Sequence, residues 1–146
     1  MRELRRAGGQ AGVSAILVYL GLAIATMLAG LALRLVPLGL PYWLVKWGGS
    51  VLWAAMVYWL LAALLPYARG TTAALTAGMV TGLVESVRLY HSPGLDAFRL
   101  TLAGVLLLGR VFSKWHLAAY WAAIAVVSLL DWLLIRRRVR GVGRAA

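Results

Sequence analysis

Four charged side chains lie close together near the middle of an otherwise apolar chain. Glu85 and Arg88 are three residues apart. Asp96 and Arg99 repeat that spacing in the next segment. Residues three apart share one face of a helix, so each carboxylate can pair with its guanidinium. Because ionisable groups at membrane depth are costly, the two pairs are the first candidates for a functional site.

An imidazole and a phenol lie between the two pairs. The predicted ligand-binding cluster at the outer face therefore has six members: Glu85, Arg88, Tyr90, His91, Asp96 and Arg99. Because the planar guanidinium binds phosphate or carboxylate through two hydrogen bonds, this cluster predicts a site for an anionic lipid headgroup or a small envelope metabolite. The alternative is structural: two ion pairs near the interface that join two helices, with long side chains reaching water.

Other chemistries fit the same residues less well. Glu85, His91, Asp96 and His116 could be combined into a metal site, but no two of them have the i,i+4 spacing of a helical metal motif. Ser92 is adjacent to His91, and neighbouring residues cannot align as nucleophile, base and orienting acid. Cysteine is absent. The sequence therefore predicts no enzyme, no metal and no cofactor.

The composition indicates a membrane protein. Of the 146 residues, 63% are hydrophobic and 13% are charged, against roughly 45–50% and about 25% in soluble domains. The mean hydropathy is +0.86. The basic residues that flank the first and last apolar runs are Arg2, Arg5 and Arg6, and Arg136, Arg137, Arg138, Arg140 and Arg144. This distribution is the positive-inside pattern, so the net charge of +11 does not indicate nucleic-acid binding.

Four segments are long enough to cross a membrane, which takes about 20 apolar residues. They are residues 13–35, 48–67, 71–90 and 115–135. The predicted fold class is an all-α integral membrane bundle of four transmembrane helices plus one re-entrant or interfacial helix, in a single domain of residues 1–146. Four crossings place both termini in the cytoplasm of a bacterium, with the protein in the inner membrane.

The remaining segments are predicted to lie at the membrane surface. Residues 36–47 contain Pro37 and Pro41 and are predicted as a loop or a short helix. In residues 93–112 only ten positions in a row are free of charge; these cover about 15 Å, half the hydrocarbon thickness, so this segment is the re-entrant or interfacial helix. Asp131 is predicted to pair with Arg136 or Arg137, at the start of the basic tail 136–146.

The second half of the chain resembles a family of small bacterial membrane proteins of unknown function. Its pattern runs Glu-x-x-Gln-x-Tyr-His-x-Pro-Trp-Leu-Asp-x-x-Arg. The matching residues of this chain are Glu85, Tyr90, His91, Pro93, Leu95, Asp96 and Arg99, followed by Gly104, Leu108, Gly109, Phe112, Leu117, Tyr120 and Asp131. Arg88 stands where the family has Gln, and His116 where it has Asp. The layout is also similar to VanZ-like proteins, which place a Glu at the end of a membrane helix before a short Asp-bearing segment.

These observations leave three hypotheses for function. The first is a small inner-membrane protein that binds an anionic lipid headgroup or envelope metabolite through Arg88 and Arg99. In this hypothesis Glu85 and Asp96 orient the arginines, and His91 donates a further hydrogen bond. The second is a scaffold or accessory subunit, in which helix faces lined by small residues pack on a second copy or on another membrane protein. The third, a small transporter, requires a continuous polar track, and the sequence offers polar groups at one end only.

Overall fold

A computed structural model describes residues 2–37, 39–101, 103–104 and 114–137, with side chains from Gly12 onward. Across these residues the chain is helical, without strands. The helices are α1 (Arg2–Leu35), α2 (Tyr42–Leu64), α3 (Gly70–Val87), α4 (Pro93–Leu100) and α5 (Lys114–Asp131). A π-helical turn, Trp132–Arg136, continues α5. The all-α prediction is therefore confirmed over the described chain.

Three of these helices are long and apolar enough to cross a membrane. They cover Gly12–Leu35, Tyr42–Leu64 and Lys114–Arg136. Helix α3, which corresponds to the predicted span 71–90, is not among them, because its 18 residues include four threonines, three glycines and Glu85. At 1.5 Å per residue α3 is nevertheless about 27 Å long, close to the hydrocarbon thickness.

Neighbouring helices run in opposite directions. The side chain of Leu33 in α1 packs against Gly48 near the start of α2. Gly70, at the start of α3, lies beside Arg136 at the end of α5. Helices α1 and α3 therefore run one way and α2 and α5 the other. One end of the bundle carries the α1–α2 connection, and the other end carries the α2–α3 connection; these are called the α1–α2 end and the α2–α3 end below.

Helix α2 begins six residues earlier than the predicted span, at Tyr42 instead of residue 48. Much of the predicted surface segment 36–47 is therefore helical. Pro41 is the N-cap residue, and proline is compatible with a helix start because the first N–H groups have no partner within the helix. Tyr42 and Trp43 remain exposed, as expected for aromatic rings at a membrane boundary.

The core of the bundle is made of alanines and a few large side chains. Its largest fully buried hydrophobic members are Tyr19, Tyr58, Tyr120 and Ile124, and Trp59 packs among them. Small residues let helices approach closely in a membrane. Gly78 shows this directly, because the ring of Trp121 occupies the space that a β-carbon at this position would need.

Helix α4 is a short segment with well-defined ends. The Ser92 hydroxyl accepts a 3.4 Å hydrogen bond from the backbone N–H of Leu95, and Pro93 stands at the first helical position, which suits a residue without an N–H. The helix ends at Leu100, and Thr101 is extended. The predicted helix 93–112 is therefore interrupted at Thr101, and residues 105–113 lie outside the described part of the chain.

Candidate functional site

The six predicted site residues divide into two adjacent groups at the α1–α2 end. Glu85 and Arg88, near the end of α3, pair with each other and are both buried. Asp96 and Arg99, on α4, form the second predicted ion pair at 2.8 Å. The i,i+3 spacing thus produces both pairs, but each pair has its own surroundings.

The first group, here the Glu85 cluster, consists of Glu85 in α3, Arg88 at the C-cap of α3, and His116 and Tyr120 from α5. Arg88 Nη1 donates to Oε2 of the fully buried Glu85. The Tyr120 hydroxyl donates to the same oxygen at 3.2 Å. Nδ1 of His116 lies 3.7 Å from Glu85 Oε1 and 3.4 Å from Arg88 Nη1. Three polar side chains thus surround the Glu85 carboxylate, and these contacts join α3 to α5.

Sequence reasoning did not assign His116 and Tyr120 to this site. They are four residues apart, so they project from one face of α5, and that face packs on α3. Two features of the sequence could have indicated these residues. One is the spacing of His116 and Tyr120, and the other is that a tyrosine hydroxyl in a membrane helix needs a hydrogen-bond acceptor. The sequence had suggested His116 as a possible metal ligand and as a departure from the family pattern. The described residues contain no group of three or more His, Asp or Glu side chains that could hold a metal ion.

The second group, here the Arg99 cluster, consists of His91, Asp96 and Arg99. Arg99 is only 4% exposed although it is a cation on a short surface helix. Its Nη1 donates to Asp96, and its Nη2 donates a 2.7 Å hydrogen bond to the carbonyl oxygen of Val87. The Val87 carbonyl also accepts from the backbone N–H of Tyr90, so Arg99 adds a second, charged hydrogen bond to the end of α3 and fixes α4 against it.

The other members of the predicted site are more accessible. His91 is exposed, with Nδ1 3.3 Å from Asp96 Oδ1. Asp96 is itself 45% exposed. Tyr90 is 66% exposed. His91 and Asp96 thus form the accessible edge of the Arg99 cluster, and Tyr90 has an exposed side chain.

An aromatic and basic layer from α2 adjoins the Glu85 cluster. The Trp47 ring meets His116 edge-on, with centroids 5.7 Å apart. Lys46 Nζ lies 5.9 Å from the centroid of the Trp47 ring. Lys46 therefore lies beside the polar cluster.

A second buried carboxylate lies at the α2–α3 end. This Asp131 cluster consists of Tyr19, Tyr58, Asp131 and Arg136. The fully buried Asp131 accepts hydrogen bonds from Tyr19 at 2.8 Å, from Tyr58 at 2.6 Å and from Arg136 Nε at 2.6 Å. The predicted partner Arg136 is present, because the π turn brings residues five apart onto one side. The two tyrosines were not predicted.

Arg136 also binds the α2–α3 connection. Its Nη1 donates to the carbonyl oxygen of Ala68. The neighbouring Arg137 turns outward, and its guanidinium stacks 4.1 Å from the centroid of the Trp132 ring. The two arginines named as alternative partners of Asp131 therefore have different roles: Arg136 is internal, and Arg137 is at the surface.

The two carboxylate clusters are separated by an apolar layer. Between Tyr120 and Asp131 on α5 the buried residues are Ala123 and Ile124, and α3 faces them with Ala73 and Ala77. Asp131 comes eleven positions after Tyr120, a rise of about 16 Å along the helix. In the described residues the polar groups are thus concentrated at the two ends of the bundle.

Comparison with protein families gives one match. A family described as "Protein of unknown function (DUF2809)" matches residues 39–124, more than half of the chain. No curated protein and no solved structure matches the chain. The matched range contains both the Glu85 cluster and the Arg99 cluster, whereas Asp131 and Arg136 lie beyond it.

Proposed function

The chain belongs to the DUF2809 family, whose function is unknown, and from this premise we propose that it is a small bacterial inner-membrane protein that binds an anionic lipid headgroup or envelope metabolite. The ligand would be held at the α1–α2 end, beside the Glu85 cluster. The recognised chemistry is a phosphate or carboxylate group. The proposal includes neither a catalytic step nor a cofactor.

The observation that carries this proposal is the surplus of positive charge at the α1–α2 end. Two carboxylates, Glu85 and Asp96, stand against a larger set of described cations: Arg34, Lys46, Arg88, Arg99 and Lys114. The positive-inside rule explains basic residues on one side of the membrane only. A surplus on the side opposite the basic termini therefore supports an anionic ligand.

The contacts suggest a separate role for each group. Nη1 and Nη2 of Arg99 are hydrogen-bonded to Asp96 and Val87, so Arg99 holds α4 in place and cannot bind a ligand through both groups. Glu85 orients Arg88 and His116. The exposed lysines, Lys46 and Lys114, would meet the ligand first, with Arg88 and His116 behind them.

The membrane arrangement is part of the proposal. With α3 counted as a fourth crossing, the start of α1 and the end of α5 fall on the same side, together with Arg69 of the α2–α3 connection. The basic residues there assign that side to the cytoplasm. Likeness to VanZ-like proteins stays a prediction from the order of Glu85 and Asp96 in the sequence.

A scaffold or accessory subunit is the second candidate. It is favoured by α1, because only 11% of the apolar stretch of this helix is buried within the bundle. Gly21 on this helix has nothing within 4 Å of the position of a β-carbon, so a further helix could approach closely there. A transporter is less well supported, because an apolar layer separates the two polar ends.

The test is lipid retention by the purified full-length protein. The protein is extracted from vesicles of phosphatidylcholine with added phosphatidylglycerol, and the bound lipids are counted by native mass spectrometry. The double variant Lys46→Ala/Lys114→Ala removes two exposed cations and so should fold normally. Arg137→Ala, which removes an exposed cation from the other end, is the matched control.

We expect the double variant to lose a phosphatidylglycerol molecule that the wild type and Arg137→Ala retain. Adding glycerol phosphate to the wild type distinguishes the sources, since displacement of the lipid would indicate a soluble phosphate-bearing metabolite. Equal retention by all three proteins would overturn the proposal. A protein chain that co-purifies equally with all three, without a retained lipid, would instead support the scaffold.

A further inference from the structure

The first turn of α3 carries the positive end of the helix dipole and has no acid. This 18-residue helix begins at Gly70 with Arg69 as its N-cap, and no described side chain caps it. The first N–H groups of a helix have no partner within it, and the helix dipole places positive potential there. Acidic residues usually occupy such a turn, but here it reads Gly70, Thr71, Thr72 and Ala73.

A buried guanidinium lies against this turn. The Cδ and Nε atoms of Arg136 are both 3.5 Å from the position that a β-carbon of Gly70 would take. Nη1 of Arg136 donates to the carbonyl of Ala68, two residues before the helix. Arg136 is only 5% exposed. A cation beside the positive end of a helix is electrostatically unfavourable unless an anion accompanies it.

Asp131 balances the charge of Arg136, but it accepts only from Nε of that side chain and is shared with two tyrosine hydroxyls. The positive end of α3 therefore has no anion of its own. Nη2 of Arg136 is buried and has no acceptor among the residues that the structure describes. Buried guanidinium N–H groups normally find acceptors. The start of α3 and Nη2 of Arg136 thus independently indicate that an anion belongs here.

We propose that the start of α3, together with Arg136 and Arg69, is a second anion site, and that it holds the phosphate of an anionic lipid from the leaflet facing the α2–α3 connection. The N–H groups of Gly70 and Thr71 would bind the phosphate as helix N-termini commonly do. The surroundings fit a lipid, because Leu64 and Tyr67 beside the site are largely exposed and can contact acyl chains and headgroups. This site lies at the end opposite the Glu85 cluster.

The variant Gly70→Asp tests the site by supplying the missing anion from the protein. A β-carbon at this position makes ordinary van der Waals contacts, so the new carboxylate can reach the guanidinium without a clash. Gly70→Asn is the matched control, with the same shape and no charge. The readout is the melting temperature of the full-length protein in detergent, measured alone, with phosphatidylglycerol and with inorganic phosphate.

We expect Gly70→Asp to melt a few degrees higher than Gly70→Asn without lipid. Its phosphatidylglycerol affinity, taken from the lipid dependence of melting, should be about tenfold weaker, the effect of losing one charge-assisted contact. Lipid bound at the other end of the bundle contributes equally to both proteins and cancels from the comparison. A wild type stabilised equally by inorganic phosphate, with the effect absent in Gly70→Asp, would assign the same site to a free phosphate.

A phosphatidylglycerol response that is the same in Gly70→Asp and Gly70→Asn would overturn the proposal. Arg69→Ala provides a second measurement if Gly70→Asp does not fold. Its exposed side chain can be removed with little effect on the lipid-free melting temperature, but the lipid response should fall. An unchanged response in Arg69→Ala would count equally against the site.

Discussion

The hydroxyl of Tyr58 donates a 2.6 Å hydrogen bond to Oδ2 of Asp131, although the two residues are 73 positions apart. Tyr19 donates to the other oxygen of the same carboxylate. Three apolar helices, α1, α2 and α5, therefore meet at a single buried acid. Because a carboxylate without partners in a membrane is costly, these donors set how the helices are arranged at this end.

Replacing Tyr58 with Phe should destabilise the bundle while preserving its packing. The ring is retained, and one hydrogen bond to a charged acceptor is lost, which costs about 1.5–3 kcal/mol. Thermal or denaturant unfolding of the purified protein in detergent measures the loss. Tyr90→Phe is the matched control, because Tyr90 is 66% exposed, and no change is expected there. Equal stabilities for both variants would show that Tyr58 does not support Asp131.

Removing Asp131 itself should be more harmful. Asp131→Ala leaves the Arg136 guanidinium without its carboxylate partner in a buried position, a loss of about 3–5 kcal/mol. The double variant Asp131→Leu/Arg136→Met removes both charges and should recover part of that stability. The same unfolding measurement compares the three proteins. A double variant less stable than Asp131→Ala would contradict this account of the ion pair.

Gly78 and Gly82, one turn apart on α3, should respond differently to the same substitution. Gly78 faces the ring of Trp121, and an added β-carbon would collide with it. Gly82 has nothing within 4 Å of that position. We therefore expect Gly78→Ala to destabilise the bundle by about 1–3 kcal/mol, as for an overpacked core. Gly82→Ala should be neutral or slightly stabilising, since alanine favours a helix. Equal effects would indicate that α3 does not pack on α5 through Gly78.

The sequence was sufficient to predict the helices and the local ion pairs. Apolar runs of about 20 residues predicted α1, α2 and α5, and the i,i+3 spacing predicted the Glu85–Arg88 and Asp96–Arg99 pairs. These features depend on residues that are neighbours along one helix. The start of α2 was placed too late, because Pro41 was taken as part of a loop and it stands instead at the helix start.

The contacts between helices could not be obtained in this way. Tyr120 approaches Glu85 from 35 residues away, and Tyr19 approaches Asp131 from 112 residues away. A sequence pattern shows that a tyrosine lies in a span, but its acceptor depends on how the helices pack. The prediction of polar groups at one end only was wrong for this reason, because Asp131 was regarded as a boundary residue and is fully buried.

Arg99 should control the attachment of α4 to the bundle. Its hydrogen bond to the carbonyl of Val87 links α4 to the end of α3, and its ion pair with Asp96 lies within α4. Arg99→Ala removes both, so the amides of Asp96 to Leu100 should exchange with solvent about tenfold faster or more, since each charged hydrogen bond contributes roughly 1.5–3 kcal/mol. Hydrogen exchange followed by mass spectrometry measures this, with α2 peptides as the internal control. Unchanged exchange in α4 would mean that another contact holds it.

The variant Glu85→Gln tests whether the Glu85–Arg88 pair is purely structural or is part of an anion site. The amide keeps the shape of Glu85 but removes the charge that Arg88 meets inside the bundle. In phosphatidylcholine alone the variant should therefore be less stable than the wild type, by about 3–5 kcal/mol. If the Glu85 cluster binds anionic headgroups, phosphatidylglycerol supplies the lost negative charge and should restore more stability to the variant than to the wild type. Melting temperatures in the two lipids provide the measurement, and Thr81→Val, a buried change without charge one turn away, is the control for packing. A variant destabilised equally in both lipids would leave Glu85 and Arg88 as a structural pair alone, because a headgroup that reaches Arg88 must compensate for the missing carboxylate.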